Sequence, residues 1–297
     1  MLSLEDLPEE LRYIIGEYLG DFLLIARFCK PFYWKTKGLV SENLYILAAR
    51  QNSIKLVKWL LGRGCPKFER ISSGGYTTPP AIAASKGNLE MMKLFRDHKF
   101  PVTQKAMTFA AEFGQIHIME QLVKWKIYPT EDTTSYAAKG GQLCVFLWLS
   151  QHRWLYINQY AKKMAARNGQ LHILEWIFGN LPFEFPSGRE LRAAAQGGQM
   201  HVLEYIWMNA RKEDIHKCGP AAMEVALMNG HTNIADWLER MNVKLATGRA
   251  QQISILATQN GHTNSIGWIH TRGYAISDKC NCVADSKTKK WLKDNVL

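Results

Sequence analysis

The chain has 297 residues, of which 47% are hydrophobic and 21% charged, and a formal net charge of +11. This is an ordinary composition for a folded protein. No run of about 18 uncharged apolar residues occurs, so no transmembrane helix is expected, and the acidic opening MLSLEDLPEE is not that of a secretory signal.

The first forty residues stand apart from the rest. Residues 1–21 hold six acids and one Arg, a charge of −5, whereas residues 22–70 hold ten Lys or Arg against Glu42 and Glu69, a charge of +8. A basic region of this kind suits nucleic acid or an acidic protein face, but its plainer reading is a solvated surface. Trp34 and Trp59 near it follow helical spacing, which does not argue for base stacking. Pro8 is placed to open a helix, because its missing N–H falls where none is needed. Glu9 and Glu10 suit the positive end of that helix. Leu11, Ile15 and Tyr18-Leu19 then line one face.

From residue 41 a phrase recurs: Ala-Ala, two variable residues, Gly, then an apolar run closing on Trp-Leu or a relative. Its copies include AARQNSIKLVKWL, AASKGNLEMMKLF, AARNGQLHILEWI and ATQNGHTNSIGWI. The Gly position falls at Asn52, Gly87, Gly114, Gly141, Gly169, Gly198, Gly230 and Gly261, a mean step of about 30 residues. Each unit reads as a helix, a Gly stop and a second, amphipathic helix. The paired alanines are strong helix formers that allow close helix contact. The Gly supplies the left-handed residue that ends a helix. Trp59, Trp148, Trp176, Trp237 and Trp268, with Tyr205 and Leu94, form a column seven residues past the Gly, expected to be core between repeats. His117, His172 and His201 form another column, for which no recurring partner is evident and which reads as drift. The expected fold is all-α: a solenoid of about eight helix-turn-helix repeats, over residues 41–297 with a C-terminal cap.

These copies resemble ankyrin repeats. The second copy carries Thr78-Pro79, Ala83-Ala84, Gly87 and Leu94-Phe95 at the family's fixed positions, and Gly230-His231 and Gly261-His262 reproduce its Gly-His. The shortest steps, of 27 residues, fall below the family period of about 33. The missing residues lie where the family builds its β-hairpin fingers, so short loops are expected, as in the divergent arrays of large DNA viruses and amoebae that the chain resembles. Such a protein implies contact with a host.

Residues 1–40 resemble an F-box, through Leu7-Pro8, Glu10-Leu11, Ile15, Tyr18-Leu19, Leu23-Leu24, Cys29-Lys30 and Phe32. The spacing from Leu19 to Cys29 is shorter than that family's. The resemblance implies docking on a Skp-type adaptor of a cullin-RING ubiquitin ligase, with Leu7, Pro8, Leu11, Ile15 and Leu19 at the contact. An N-terminal cap on the first repeat would account for the same residues.

Catalysis is not expected. The chain has no phosphate-cradling Gly loop, nucleophile elbow or HExxH, and no catalytic residue, cofactor site or metal site is assigned. The six cysteines, Cys29, Cys65, Cys144, Cys218, Cys280 and Cys282, read as reduced thiols of an intracellular protein, cytosolic or nuclear. Cys280-Asn281-Cys282 lacks the second pair a zinc site needs. The expected function is a protein–protein interaction module, recruiting substrates to a Skp/cullin-type ligase or acting as a plain scaffold. A monomer that binds neither nucleic acid nor membrane is expected.

Overall fold

The computed structural model describes residues 44–62, 64, 78–181 and 185–295. Leu7, Pro8, Leu11, Ile15 and Leu19 therefore lie outside the described residues, as do Cys29 and Cys65. The described chain is built from antiparallel helix pairs, one for each of the eight copies of the repeated phrase and a further short pair after the last, and contains no strand.

The pairs run in order: α1 (Leu44–Arg50) with α2 (Ile54–Gly62), α3 (Pro79–Ser85) with α4 (Leu89–Asp97), and α5 (Gln104–Glu112) with α6 (Ile116–Lys124). There follow α7 (Glu131–Gly140) with α8 (Leu143–Gln151), α9 (Gln159–Arg167) with α10 (Leu171–Asn180), and α11 (Gly188–Gly197) with α12 (Met200–Asn209). The last are α13 (Lys212–Met228) with α14 (Thr232–Arg240), α15 (Ala250–Gln259) with α16 (Thr263–Thr271), and α17 (Cys280–Val283) with α18 (Ser286–Asn295). The chain divides into two compact units, with the boundary inside the fourth repeat. One takes the described residues up to Thr133 together with Trp148–Trp154, the other Thr134–Leu147 and the described residues from Leu155 onward.

Local chemistry sets the starts of the first helices. Thr78 accepts the Ala81 N–H on its hydroxyl at 3.3 Å, and Pro79 and Pro80 fill the first turn, where no N–H is required. Asn158 caps α9 through Ala161 at 2.9 Å. Ser187 and Glu190 form a reciprocal capping box on α11, with the Ser187 N–H donating to Glu190 Oε2 at 2.9 Å.

The first-helix ends are uniform. Asn52 and all seven repeat glycines adopt φ between 57° and 83°. The next N–H turns back on the first alanine of the pair, Gln170 to Ala165 at 2.9 Å and Gln199 to Ala194 at 3.0 Å, which satisfies carbonyls the helix leaves open. A second stop was not expected. Gly64, Lys99, Lys126, Arg153, Asn242 and Gly273 are also left-handed, each ending a second helix. Four of these six are not Gly, so composition hides the turn. In α10 and α12 the helix instead runs to Asn180 and Asn209, and the chain leaves extended at Leu181 and Ala210.

The core follows two columns. The alanines pack the first helices: Ala48-Ala49, Ala83-Ala84, Ala110-Ala111, Ala137-Ala138, Ala165-Ala166 and Ala194-Ala195 are fully buried. On the second helices the buried column is Leu60, Phe95, Leu122, Leu149, Ile177, Ile206, Leu238 and Ile269, one residue beyond the Trp position. The Trp column is a seam beside that core. Trp148, Trp237 and Trp268 are buried, but Trp59, Trp176 and Tyr205 are only partly covered. Trp176 meets Phe146 of the preceding repeat edge-on at 5.7 Å, and Trp237 meets Trp207 at 5.2 Å. The column thus joins repeats, as expected, while the residue after it forms the core. The physical reason is helical geometry, since successive residues point about 100° apart.

In the first unit Tyr45, Phe95 and Phe100 pack ring against ring at 4.9 to 6.4 Å. In the second unit, Cys280 of α17, Ala284 just after it and Leu292 of α18 close over Ala257 and Ile266 of the preceding repeat. The structure also extends α13 beyond its repeat: Lys212–Gly219 precede Pro220 in one continuous helix, which accommodates the 32-residue step from Gly198 to Gly230.

Candidate protein-binding face

The first helices bury their alanine side and leave the opposite side to solvent. On α9 the outward residues are Tyr160, Lys163 and Arg167, spaced three and four apart, and on α11 they are Arg189 and Arg192, with Gln196 partly covered. This spacing places each set in one stripe along its helix. The two helices pack side by side, and Arg189 donates to the Gln159 side chain. The equivalent row on α13 holds Ala221, Glu224 and Met228. Glu224 is paired with Arg249 at 3.1 Å, and Arg249 also donates to Gln252 at 2.7 Å.

Charge is sorted between the two helices of these repeats. The acids Glu175 and Glu204 stand exposed on α10 and α12, and the one acid on α9 or α11, Glu190, is 2% exposed and occupied by the cap of its own helix. The side of the second unit carrying Lys163, Arg167, Arg189 and Arg192 is therefore basic. Chain-wide charge placed the basic excess in residues 22–70. The signal for this strip was present, as cations at helical spacing within α9, but it shows only once the alanine face is known to be buried. In the first unit the corresponding side carries Phe113 at 52% exposed, beside the partly covered Phe109.

The histidine column has a defined role. His117 donates from Nε2 to the Gly87 carbonyl at 2.9 Å, His172 to Gly141 at 2.8 Å and His201 to Gly169 at 2.9 Å. A carbonyl only accepts, so each imidazole carries its proton on Nε2. The column is an inter-repeat tie, and reading it as drift is corrected here. In several repeats the residue after the Gly joins the same seam: Asn88, Gln115, Gln170, Gln199, His231 and His262. Asn88 donates to Asn52 Oδ1 at 2.7 Å. A Cβ on Gly198 would lie 2.6 Å from His231 Cε1, and one on Gly230 would lie 2.8 Å from His262 Nδ1. Gly198 and Gly230 are needed both for φ and for this approach, a double requirement that period alone does not reveal. Among the described residues no group of three His, Cys, Asp or Glu is placed to hold a metal ion.

A further inter-repeat clamp closes the seam near the end of the second unit. Arg272 bridges Asp236 at 2.7 Å and Glu239 at 2.8 Å and lies 4.1 Å over the Trp268 ring. The Trp268 indole donates to Asp236 at 2.7 Å. Nearby, a cavity of about 390 Å³ opens between His270, Tyr274, Asp278 and Cys280. The Cys280 thiol there is buried beside the Ser254 hydroxyl at 3.5 Å.

Residues 45–133 match the family model described as ankyrin repeats, in three copies. With the all-helical stack, this makes the fold an ankyrin-like helical solenoid, and such repeats indicate a protein–protein interaction module. No curated protein matches the chain. No described helix is long and apolar enough to cross a membrane.

Proposed function

We propose that this protein is a substrate-recruiting subunit of a Skp/cullin-type ubiquitin ligase. Residues 1–40 engage the adaptor through Leu7, Pro8, Leu11, Ile15 and Leu19, and residues 41–297 hold a target protein. The observation that carries the target-binding half is the row of outward side chains on the first helices, held at fixed spacing by the buried alanine pairs. The adaptor half is supported by the F-box-like pattern of Leu7-Pro8, Leu11, Ile15 and Tyr18-Leu19. The mechanism is effective concentration: lysines of a bound target are kept near a ligase-bound ubiquitin carrier. The chain itself performs no bond chemistry in this scheme, and it acts inside the cell as a monomer.

The experiment is capture of a purified Skp-type adaptor by the full chain and by a Leu7→Ala/Pro8→Ala variant. Capture by the wild type and loss in the variant is expected. Folded wild type that captures no adaptor rejects the ligase role. In that case the repeats remain a scaffold, with residues 1–40 serving to cover the first repeat.

A further inference from the structure

We propose that the basic strip on α9 and α11 is the docking site for an acidic, extended peptide segment of the protein partner. This rests on the protein-binding reading above and names the chemistry of what binds. Lys163, Arg167, Arg189 and Arg192 are all exposed. Among the described residues Lys163, Arg167 and Arg192 have no ion-pair partner. The strip is thus four positive charges with no exposed carboxylate on either helix, although Glu224, Glu239 and Asp236 elsewhere in the same unit are all paired.

The spacing fits an extended peptide. Cations one turn apart on a helix are about 5–6 Å apart, and packed helices stand about 8–10 Å apart. In an extended peptide, alternate side chains on one face repeat at about 6.6 Å. Acids at every second position would therefore meet Lys163 or Arg167 on one helix and Arg192 on the next, within reach of the long side chains. The planar guanidinium of Arg takes a carboxylate through two parallel hydrogen bonds. Tyr160, 49% exposed at the head of the α9 stripe, offers an apolar ring with a hydroxyl. Beyond the strip, Glu224 is neutralised by Arg249, and Val225 and Met228 are half-covered. Level with the strip, the face therefore carries no free cation on α13, where exposed Lys217 stands a turn earlier.

A nucleic acid would also meet these cations. Binding without sequence preference uses a positive groove that follows the backbone for about four nucleotides or more. Here the equivalent row on α13 carries the carboxylate of Glu224 between Ala221 and Met228, with exposed Lys217 one turn before them, so the run of cations is interrupted, which favours a peptide.

The test uses the full chain and fluorescence anisotropy at low salt. The probes are a labelled peptide alternating Glu and Ala, its Gln–Ala counterpart, and an oligothymidylate of equal charge. Wild type is expected to bind the Glu–Ala peptide and not the Gln–Ala peptide. Arg167→Glu/Arg192→Glu is expected to lose at least about tenfold in affinity, with its thermal midpoint unchanged. Arg167→Lys/Arg192→Lys keeps the charge but not the paired hydrogen bonds and falls between. Should the charge-reversed variant not fold, Lys163→Gln must weaken binding in its place. Equal binding by these variants, or tighter binding of the oligothymidylate than of the peptide, overturns the proposal. Adaptor capture measured in parallel separates the two readings. Peptide failure with capture intact removes this site alone, and capture failure with peptide binding intact removes the ligase role alone.

Discussion

The double requirement on the repeat glycines is testable inside one molecule. Gly198 and Gly261 have almost the same backbone, at φ 73° and 74°. A Cβ on Gly198 would lie 2.6 Å from His231 Cε1 and 2.8 Å from its Nδ1, whereas a Cβ on Gly261 would meet nothing within 4 Å. Placing an L-residue in the left-handed region costs about 1–2 kcal/mol. Ala instead of Gly recovers about 0.4–1 kcal/mol by restricting the unfolded chain. Gly261→Ala should therefore destabilise by about 0.5–1 kcal/mol, the difference of those two effects. Gly198→Ala must in addition push the His231 ring off its rotamer, at about 0.5–1.5 kcal/mol. Its total should be about 1–2.5 kcal/mol. The assay is urea unfolding followed by circular dichroism and fitted with nearest-neighbour terms, since repeat stacks lose cooperativity along their length. His231→Ala should relieve the excess and leave Gly198→Ala at the level of Gly261→Ala. If Gly198→Ala alone costs no more than Gly261→Ala, the glycine column serves backbone conformation only, and the inter-repeat contact is energetically empty.

Ile177→Ala should destabilise by about 2–5 kcal/mol, because the side chain is fully buried. Trp176→Ala should cost less, although it removes more atoms, since its ring is partly covered. The opposite order in thermal or urea midpoints would return the Trp column to the core. Asp285 accepts the Thr288 N–H at 2.7 Å at the head of α18, and that hydrogen bond holds its carboxyl below the ordinary carboxylate range. A lowered folded value means that its contribution is complete above the ordinary range, about pH 4, and fades as pH falls through the lower folded value. Protection of the α18 amides, taken relative to their intrinsic exchange rate at each pH, should accordingly fall on acidification. Asp285→Asn should keep a cap that does not titrate, and an unchanged acid response in that variant would refute the assignment.

Much of this protein was legible from its residue pattern. The paired alanines, the Gly stops and the apolar run report local helix geometry, which a sequence carries directly in its periodicity. Each of those features appears in the structure at the expected residues, from Ala48-Ala49 to Gly261. The second stop at Lys99, Lys126 and Arg153 was not legible, because no residue there favours left-handed backbone strongly enough to stand out. Leu7, Pro8, Leu11, Ile15 and Leu19 remain sequence assignments. What tertiary structure alone decided is the contact between repeats. His117 reaches Gly87 across thirty positions of chain, and His231 crowds Gly198, because stacking sets equivalent residues of neighbouring repeats side by side. The same stacking turns Lys163, Arg167, Arg189 and Arg192, scattered in the chain, into one basic strip. Periodicity specifies each helix pair, and only the packing of one pair on the next determines which of its residues become seam and which become surface.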